Sequence, residues 1–266
     1  MEPLLISYDN APTEETEFFI KTLKANRWNY NIVGIGDKWE GFTTRTKSYY
    51  AHLKLLPEDQ IVILSDARDV VCVRSPKAFV DAYASFKKPI VVSMELVCGG
   101  KMNVPDDFKF FQCKPLTEYW RNLGMTDKPA RKFVNAGLVC GRAGDLVKFY
   151  EWAIKNEFTD DQLALGHYMC SFPDQVGADI HAELLHTTNF GVNAGVLDIH
   201  IQKHDAPTLA EIFGRGAFFI HTPGSSTKRG NYSVYIALKA LIDAGFSDEM
   251  LRGPYKYAEP VWNEIF

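Results

Sequence analysis

The chain has 266 residues, 46% hydrophobic and 23% charged, enough apolar mass for a packed core in one large domain. A net charge of −4 and an isoelectric point near 6.0 exclude a general attraction to nucleic acid or anionic membrane, though not a local basic groove. No segment approaches the roughly 18 apolar residues of a membrane span, and Met1-Glu2-Pro3 leads into an apolar strand without a basic, apolar leader, so no membrane and a cytoplasmic setting are expected.

The five cysteines, Cys72, Cys98, Cys113, Cys140 and Cys170, are scattered and form no C-x-x-C pair. They read as reduced, buried thiols of an intracellular protein, with no zinc site.

Residues 4–8 form a short apolar strand. A polar loop follows, and Thr13-Glu14-Glu15-Thr16 opens a helix whose buried face carries Phe18, Phe19, Leu23 and Trp28. Residues 30–35 return as a second strand, so a parallel β-α-β unit is expected. A loop, residues 36–41, precedes a helix that begins around Arg45 and Lys47 and runs to Leu56 before Pro57. A cation near a helix start opposes the helix dipole, so Lys47 or Arg45 is expected to face an anion, unless the lysine is simply solvated.

Residues 61–65 are a continuous apolar run, which fits a strand covered on both faces. Asp66-Ala67-Arg68-Asp69 follows, at the strand end where open α/β sheets place ligands. Two like charges there are costly unless a cation meets them, although an aspartate after a strand is also an ordinary turn former or helix cap. Ser75-Pro76 starts a helix through Phe86, and residues 90–94 are another strand. An elaborated insertion around 99–131, with a helix near 116–123, reads as a lid or an acceptor-facing loop.

Residues 133–141 form a strand carrying Asn135 and small residues, either a bulge or a close backbone approach to a ligand. Residues 143–156 are a helix with Leu146, Phe149, Tyr150 and Ala153 on one side. Another helix opens at Thr159 with Asp160 and Asp161 in its first turn, which alone is ordinary capping. Short edge strands are expected at 182–185 and 194–197. Residues 218–220 are a last apolar strand, running into His221-Thr222-Pro223-Gly224-Ser225-Ser226-Thr227-Lys228. Such a loop can hold a phosphate through backbone N–H groups, hydroxyls and an ammonium. A helix over 231–244 and an aromatic tail from Gly253 packed on the body complete the chain.

Asp66, Asp69 and His221 would together offer two carboxylates and an imidazole, a set that suits Mn²⁺, whereas Mg²⁺ prefers oxygen alone. A lone histidine after a strand is otherwise a packed or surface residue.

The motifs resemble the glycosyltransferase domain of the procollagen lysyl hydroxylase family, the procollagen galactosyl-hydroxylysine glucosyltransferases. The matching segments are GIGDKWEG (34–41), TRTKSYYAHL (44–53), VILSDARDVV (62–71), KFVNAGLVCG (132–141), DDQL (160–163) and IHTPGSSTK (220–228), in the family's order over most of the chain. The resemblance implies an α/β, GT-A-type (Rossmann-like) fold, a mixed and mostly parallel sheet flanked by helices. It implies a single glycosyltransferase domain over 1–266, Mn²⁺ (Mg²⁺ as the substitute) on Asp66, Asp69 and His221, and Gly224 and Lys228 on a diphosphate. It further implies Ser7 near the uridine, Trp39 and Lys47 in the donor region, Asn135 beside the donor sugar, and Asp160 and Asp161 as the catalytic carboxylates, Asp161 foremost. One departure is Arg68, where the family usually carries an aromatic residue that stacks on the base. The loop after His221 is also one residue longer. The hydroxylase domains have no counterpart, so a stand-alone viral or bacterial enzyme is expected.

The expected reaction is transfer of glucose from a UDP-sugar to a hydroxyl acceptor. The resemblance implies retention; an inverting reaction would need Asp161 or another carboxylate as base. The acceptor is hydroxylysine or a glycan by analogy, or a hydroxymethylated nucleobase bound by a patch of Lys101, Lys109, Lys114, Arg121, Lys128, Arg131 and Lys132, unless that run is simply a solvated insertion. Two other readings stand beside it. One is a nucleotidyltransferase, which would want a glycine- and basic-rich loop where this chain has Asp9-Asn10-Ala11-Pro12. The other is a decayed nucleotide-sugar-binding module.

Overall fold

The computed structural model describes residues 1–95, 113–125, 131–187, 217–221 and 223. Strand β1 (Leu4–Tyr8), helix α1 (Glu14–Ala25) and strand β2 (Asn29–Val33) form the expected parallel unit, with Leu4 opposite Asn29 and Tyr8 opposite Val33. Thr16 ties the start of α1 back to the strand: its hydroxyl accepts from the Thr13 N–H and donates to Asp9. Strand β2 stops two residues short of the expected end because Gly34 turns with φ +83° against the Tyr8 ring, where a Cβ would lie 2.6 Å from Tyr8 Cδ2.

Helix α2 (Phe42–Leu53) starts earlier than expected, after Gly41 at φ +100°, and so carries Arg45 a full turn inside the helix. Strand β3 (Ile61–Ser65) is as expected and pairs parallel with β1. Strand β4 (Val70–Cys72) follows directly, then a short 3₁₀ turn and α3 (Phe79–Ser85), then β5 (Ile90–Glu95). Helix α4 (Lys114–Asn122) is the described part of the expected insertion. The remaining elements are β6 (Phe133–Arg142), α5 (Ala143–Lys155), α6 (Asp161–Ser171), β7 (Val176–Asp179), β8 (Leu185–Thr187) and β9 (Phe219–His221). Among the described residues the strands run β2-β1-β3-β6-β5-β8-β9-β4, with β7 also on β5. Five pairings are parallel and three antiparallel, so the sheet is mixed and mostly parallel, flanked by helices, as the sequence led one to expect.

The strands bury both faces, which is why they read as unbroken apolar runs. Alternate residues serve opposite layers. Ile6, Val62, Leu64 and Val92 pack with Tyr49 of α2, Phe149 of α5 and Leu165 of α6. Leu5, Ile63, Val91 and Leu138 pack with Phe19 of α1 and Phe79 of α3.

Some expectations are corrected. Strands β4 and β7 carry only three and four residues, too short to show a period. The expected strand at 182–185 is instead Leu185–Thr187, because Asp179 holds the preceding turn through the N–H groups of Glu183, Leu184 and Leu185. Cys72, Cys140 and Cys170 are free, but Cys113 is disulfide-bonded to a partner outside the described residues. Spacing along the chain is blind to such proximity, and the expectation of wholly reduced thiols does not hold. Arg131, placed in a surface patch above, is buried and donates to the carbonyls of Met94 and Thr187. The expected strand at 194–197, the helix at 231–244 and the aromatic tail lie outside the described residues. No helix among the described residues is long and apolar enough to cross a membrane.

Candidate metal and donor site

The apolar run of β3 carries the chain to the sheet's edge, and the turn into β4 presents Asp66 and Asp69. The Asp66 N–H donates to the Gly137 carbonyl of β6 (2.9 Å), which anchors the turn. Strand β4 then pairs antiparallel with β9, Val70 opposite His221. That three-residue strand therefore delivers a histidine more than 150 positions away to the residue next to Asp69. His221 Nε2 lies 3.4 Å from Asp69 Oδ2 and 3.5 Å from Asp66 Oδ2. One ligand atom from each residue falls within a 4.8 Å cluster. The His221 side chain is 1% exposed and the aspartates are half-buried, so the cluster opens outward through its carboxylates.

Gly137 explains the small residues of β6. A Cβ there would lie 2.6 Å from His221 Nδ1 and 2.7 Å from Nε2, so only glycine lets the ring lie on the strand. The β5–β6 register also shifts at Val92 and Ser93, opposite this stretch. The register shift fits the bulge reading, and the group that closely approaches the backbone at Gly137 is the His221 ring rather than a ligand.

Arg45 of α2 joins the cluster from the helix side. Its Nε and Nη2 donate to both carboxylate oxygens of Asp161 (2.8 and 2.7 Å), and its Nη1 donates to Asp66 Oδ1. Arg45 is thus the anion-facing cation of the helix start. Burial alone would lower its pKa, but Asp161 and Asp66 hold it well above the usual value. The arrangement divides Asp66 between two tasks. Oδ1 faces the guanidinium, and Oδ2 is turned to His221 and Asp69.

A buried polar network backs the cluster. Glu95, at the end of β5, is 1% exposed and accepts from Gln162 Nε2 (3.1 Å), while Gln162 Oε1 accepts from the Ala136 N–H. Asn135 Oδ1 accepts from the Gly137 N–H (2.8 Å) and so braces the strand under His221. Burial pushes the Glu95 carboxyl up to about 7, against the opposing pull of His221. Burial alone would lower His221, yet the carboxylates of Asp69, Asp66 and Glu95 outweigh it and raise the imidazole above its ordinary value.

The other residues singled out in the sequence are placed as follows. Ser7 is fully buried and spends its hydroxyl on the Ser65 carbonyl (2.8 Å), so its side chain is not presented to a ligand. Trp39 is exposed and packs tilted against Tyr8 and edge-on with Phe42, at 5.8 and 5.6 Å between ring centres. Lys47 lies on the other face of α2 from Arg45, exposed, in a 460 Å³ surface cleft with Asp37, Glu40 and His52. Asp160 caps α6 by accepting from the Leu163 N–H (2.8 Å). Asp161 is buried and engaged by Arg45. Gly224 and Lys228 lie outside the described residues. Arg45, Glu95, Gln162 and Gly137 carried no site assignment from the sequence. The signals among them were the uncomfortable cation at the start of α2 and the small residues of β6 around Gly137.

No protein-family model and no curated protein matches the chain. Several solved structures are similar. A glycosyltransferase involved in the glycosylation of the major capsid of PBCV-1 is 12% identical, covering 90% of this chain and 99% of that one, with a TM-score of 0.45. Mouse xyloside xylosyltransferase 1 is 10% identical, covering 81% and 74%, with a TM-score of 0.39. The 4-diphosphocytidyl-2C-methyl-D-erythritol synthase of Anaerococcus prevotii is 13% identical, covering 66% and 88%, with a TM-score of 0.38. These likenesses are loose, and any functional reading stands on the site itself.

Proposed function

We propose that this chain is a GT-A-type glycosyltransferase that uses a divalent cation, Mn²⁺ before Mg²⁺, to move glucose from UDP-glucose to a hydroxyl acceptor with retention. The observation that carries the reading is the convergence of Asp66, Asp69 and His221 at the sheet edge. The donor set fits: two carboxylate oxygens and one imidazole nitrogen suit a first-row cation that accepts both ligand types. When bound, such a cation supplies Lewis-acid charge to a leaving diphosphate.

The protein's own residues do the rest. Arg45 fixes Asp66 through Oδ1 and so leaves Oδ2 to face the other two ligands. Gly137 and Asn135 hold the strand on which the His221 ring rests. Lys228 and Gly224 are proposed to meet the diphosphate, with Lys228 adding a charge where one develops on the leaving group. Asn135 and Asp160 are proposed to lie toward the sugar, and Trp39 and Lys47 at the donor rim. Asp161, with both oxygens on Arg45, enters this scheme as a positioning residue for the cation site. Its engagement fits a retaining transfer, which requires no strong side-chain base.

Calorimetric titration with UDP, with Mn²⁺ and with EDTA, tests the reading. Binding that needs the metal supports it. Equal binding in EDTA, or no binding in either, overturns it.

A further inference from the structure

We propose that the disulfide of Cys113 is a redox-sensitive brace: intact, it seats helix α4 against the two elements that carry the metal and donor site, and its reduction by a dithiol loosens that seat. What the brace controls rests on the donor-site reading above.

Cys113 stands at the cap position of α4 and is half-buried rather than enclosed. The two ends of α4 are secured differently. At the far end, Gly124 turns with φ +73°. Its N–H donates to the Arg121 carbonyl (2.9 Å) and the Met125 N–H donates to the Trp120 carbonyl (2.9 Å), the Schellman pattern that closes a helix. Pro115 suits a first turn, but no side chain caps the start of α4, no acid stands in its first turn, and Lys114 opposes the helix dipole. The helix has nine residues, fewer than the roughly 12 that an isolated helix needs to be even marginal in water. The covalent bond therefore does at the start of α4 what the glycine turn does at its end.

Helix α4 grips both supports of the site. Leu116 and Trp120, one turn apart and buried, pack into the same core as Leu165 and Met169 of α6 and Val134 of β6. Trp120 Nε1 donates to the Lys132 carbonyl (2.8 Å) just before β6, and the Lys132 N–H donates to the Glu95 carbonyl (3.1 Å). The first turn of α6 places Asp161 on Arg45, and Gln162 between Glu95 and the Ala136 N–H. Strand β6 carries Asn135 and Gly137 under His221. A shift of α4 is thus transmitted to both elements.

The other described cysteines do not compete as attacking thiols. Cys72 and Cys140 are fully enclosed, and burial pushes both thiols far up. Burial pushes Cys170 up to about 11, which leaves little thiolate near neutral pH. A dithiol that attacks the Cys113 disulfide breaks the S–S bond and forms a mixed disulfide, and its second thiol then displaces the protein sulfur. The protein gains two electrons and two protons as two thiols, and the dithiol leaves as its own disulfide.

The test uses the full chain in three states: oxidised, reduced with dithiothreitol and desalted under nitrogen, and reoxidised with glutathione disulfide. Hydrogen exchange follows α4, α6, β1 and β3, and calorimetry follows Mn²⁺-dependent UDP binding. Reduction should speed exchange in α4 and in the first turn of α6, with β1 and β3 unchanged. UDP binding should weaken about tenfold, the scale on which disturbed support of a metal site is felt. Both effects should reverse on reoxidation. Cys113→Ser should match the reduced wild type and ignore dithiothreitol, whereas Cys170→Ser should respond as the wild type does. Unchanged exchange in α4, or a looser α4 with α6 and UDP affinity unaffected, overturns the proposal. Faster exchange throughout the sheet also overturns it, and makes the disulfide a plain staple of the fold. An oxidised protein that binds no UDP, while reduction still loosens α4 and α6, removes the donor reading and leaves the brace.

Discussion

Gly137→Ala should disable the cation site while leaving the sheet in place. The added Cβ would lie 2.6 Å from His221 Nδ1 and 2.7 Å from Nε2. His221 Cε1 would be closer still, so ordinary contact near 3.5 Å requires the ring to retreat by more than about 0.9 Å. The strand cannot give way easily, because the Gly137 carbonyl accepts the Asp66 N–H and Leu138 pairs with Ser65 of β3. His221 is enclosed as well, so the accommodation falls on the imidazole. Metal–ligand distances tolerate only about 0.2 Å. A displacement several times larger should lower Mn²⁺ affinity at least tenfold, the scale on which disturbed support of a metal ligand is felt. Overpacking should cost about 1–3 kcal/mol of stability. Manganese affinity by electron paramagnetic resonance, with urea unfolding alongside, separates the two effects. Gly177→Ala is the control: its Cβ would meet Lys88 Cβ and Cγ at 3.1 Å, a milder overpacking on another strand that does not touch His221. Wild-type Mn²⁺ affinity in a folded Gly137→Ala protein would refute the reasoning.

Arg45→Met should destabilise the fold by about 3–5 kcal/mol, because it strands the 4%-exposed Asp161 carboxylate without its partner. Adding Asp161→Leu should restore part of that loss, and chemical denaturation of both variants decides it. Glu95 makes stability fall as pH rises. Its folded pKa of about 7 lies above the ordinary 4.5, so its contribution is full below pH 4.5 and is lost on the way to pH 7. In EDTA, Glu95→Gln should therefore gain on the wild type between pH 5 and pH 8, by at most about 3 kcal/mol. A parallel pair of stability curves would contradict this. Thiol titration in non-reducing denaturant should count three of the five cysteines as free, and a count of five would contradict the Cys113 disulfide.

What could be read from the sequence was whatever lies locally along it. The apolar run before Asp66, the D-x-x-D turn and the Gly/Ser/Thr loop after His221 are contiguous features, and periodicity placed most helices and long strands. What could not be read depends on proximity created by the fold. Arg45 finds its partners 21 and 116 positions away. No spacing rule marks such a pair, and only its awkward place at a helix start pointed to an anion. Strand β4, three residues long, looked like a continuation of the apolar stretch, yet it is the device that seats His221 beside Asp69. Gly137 announced a close approach without saying to what. Asp161 looked like an ordinary first-turn acid, because the guanidinium that engages it belongs to a different helix.

The most direct measurement is release of UDP from a panel of UDP-sugars, in Mn²⁺, in EDTA and with Asp69→Ala. The account predicts release from one sugar, UDP-glucose, that requires Mn²⁺ and is abolished in the variant. Absence of release from every UDP-sugar, or release that survives both EDTA and Asp69→Ala, would contradict it and leave Asp66 and Asp69 as residues of a structural turn.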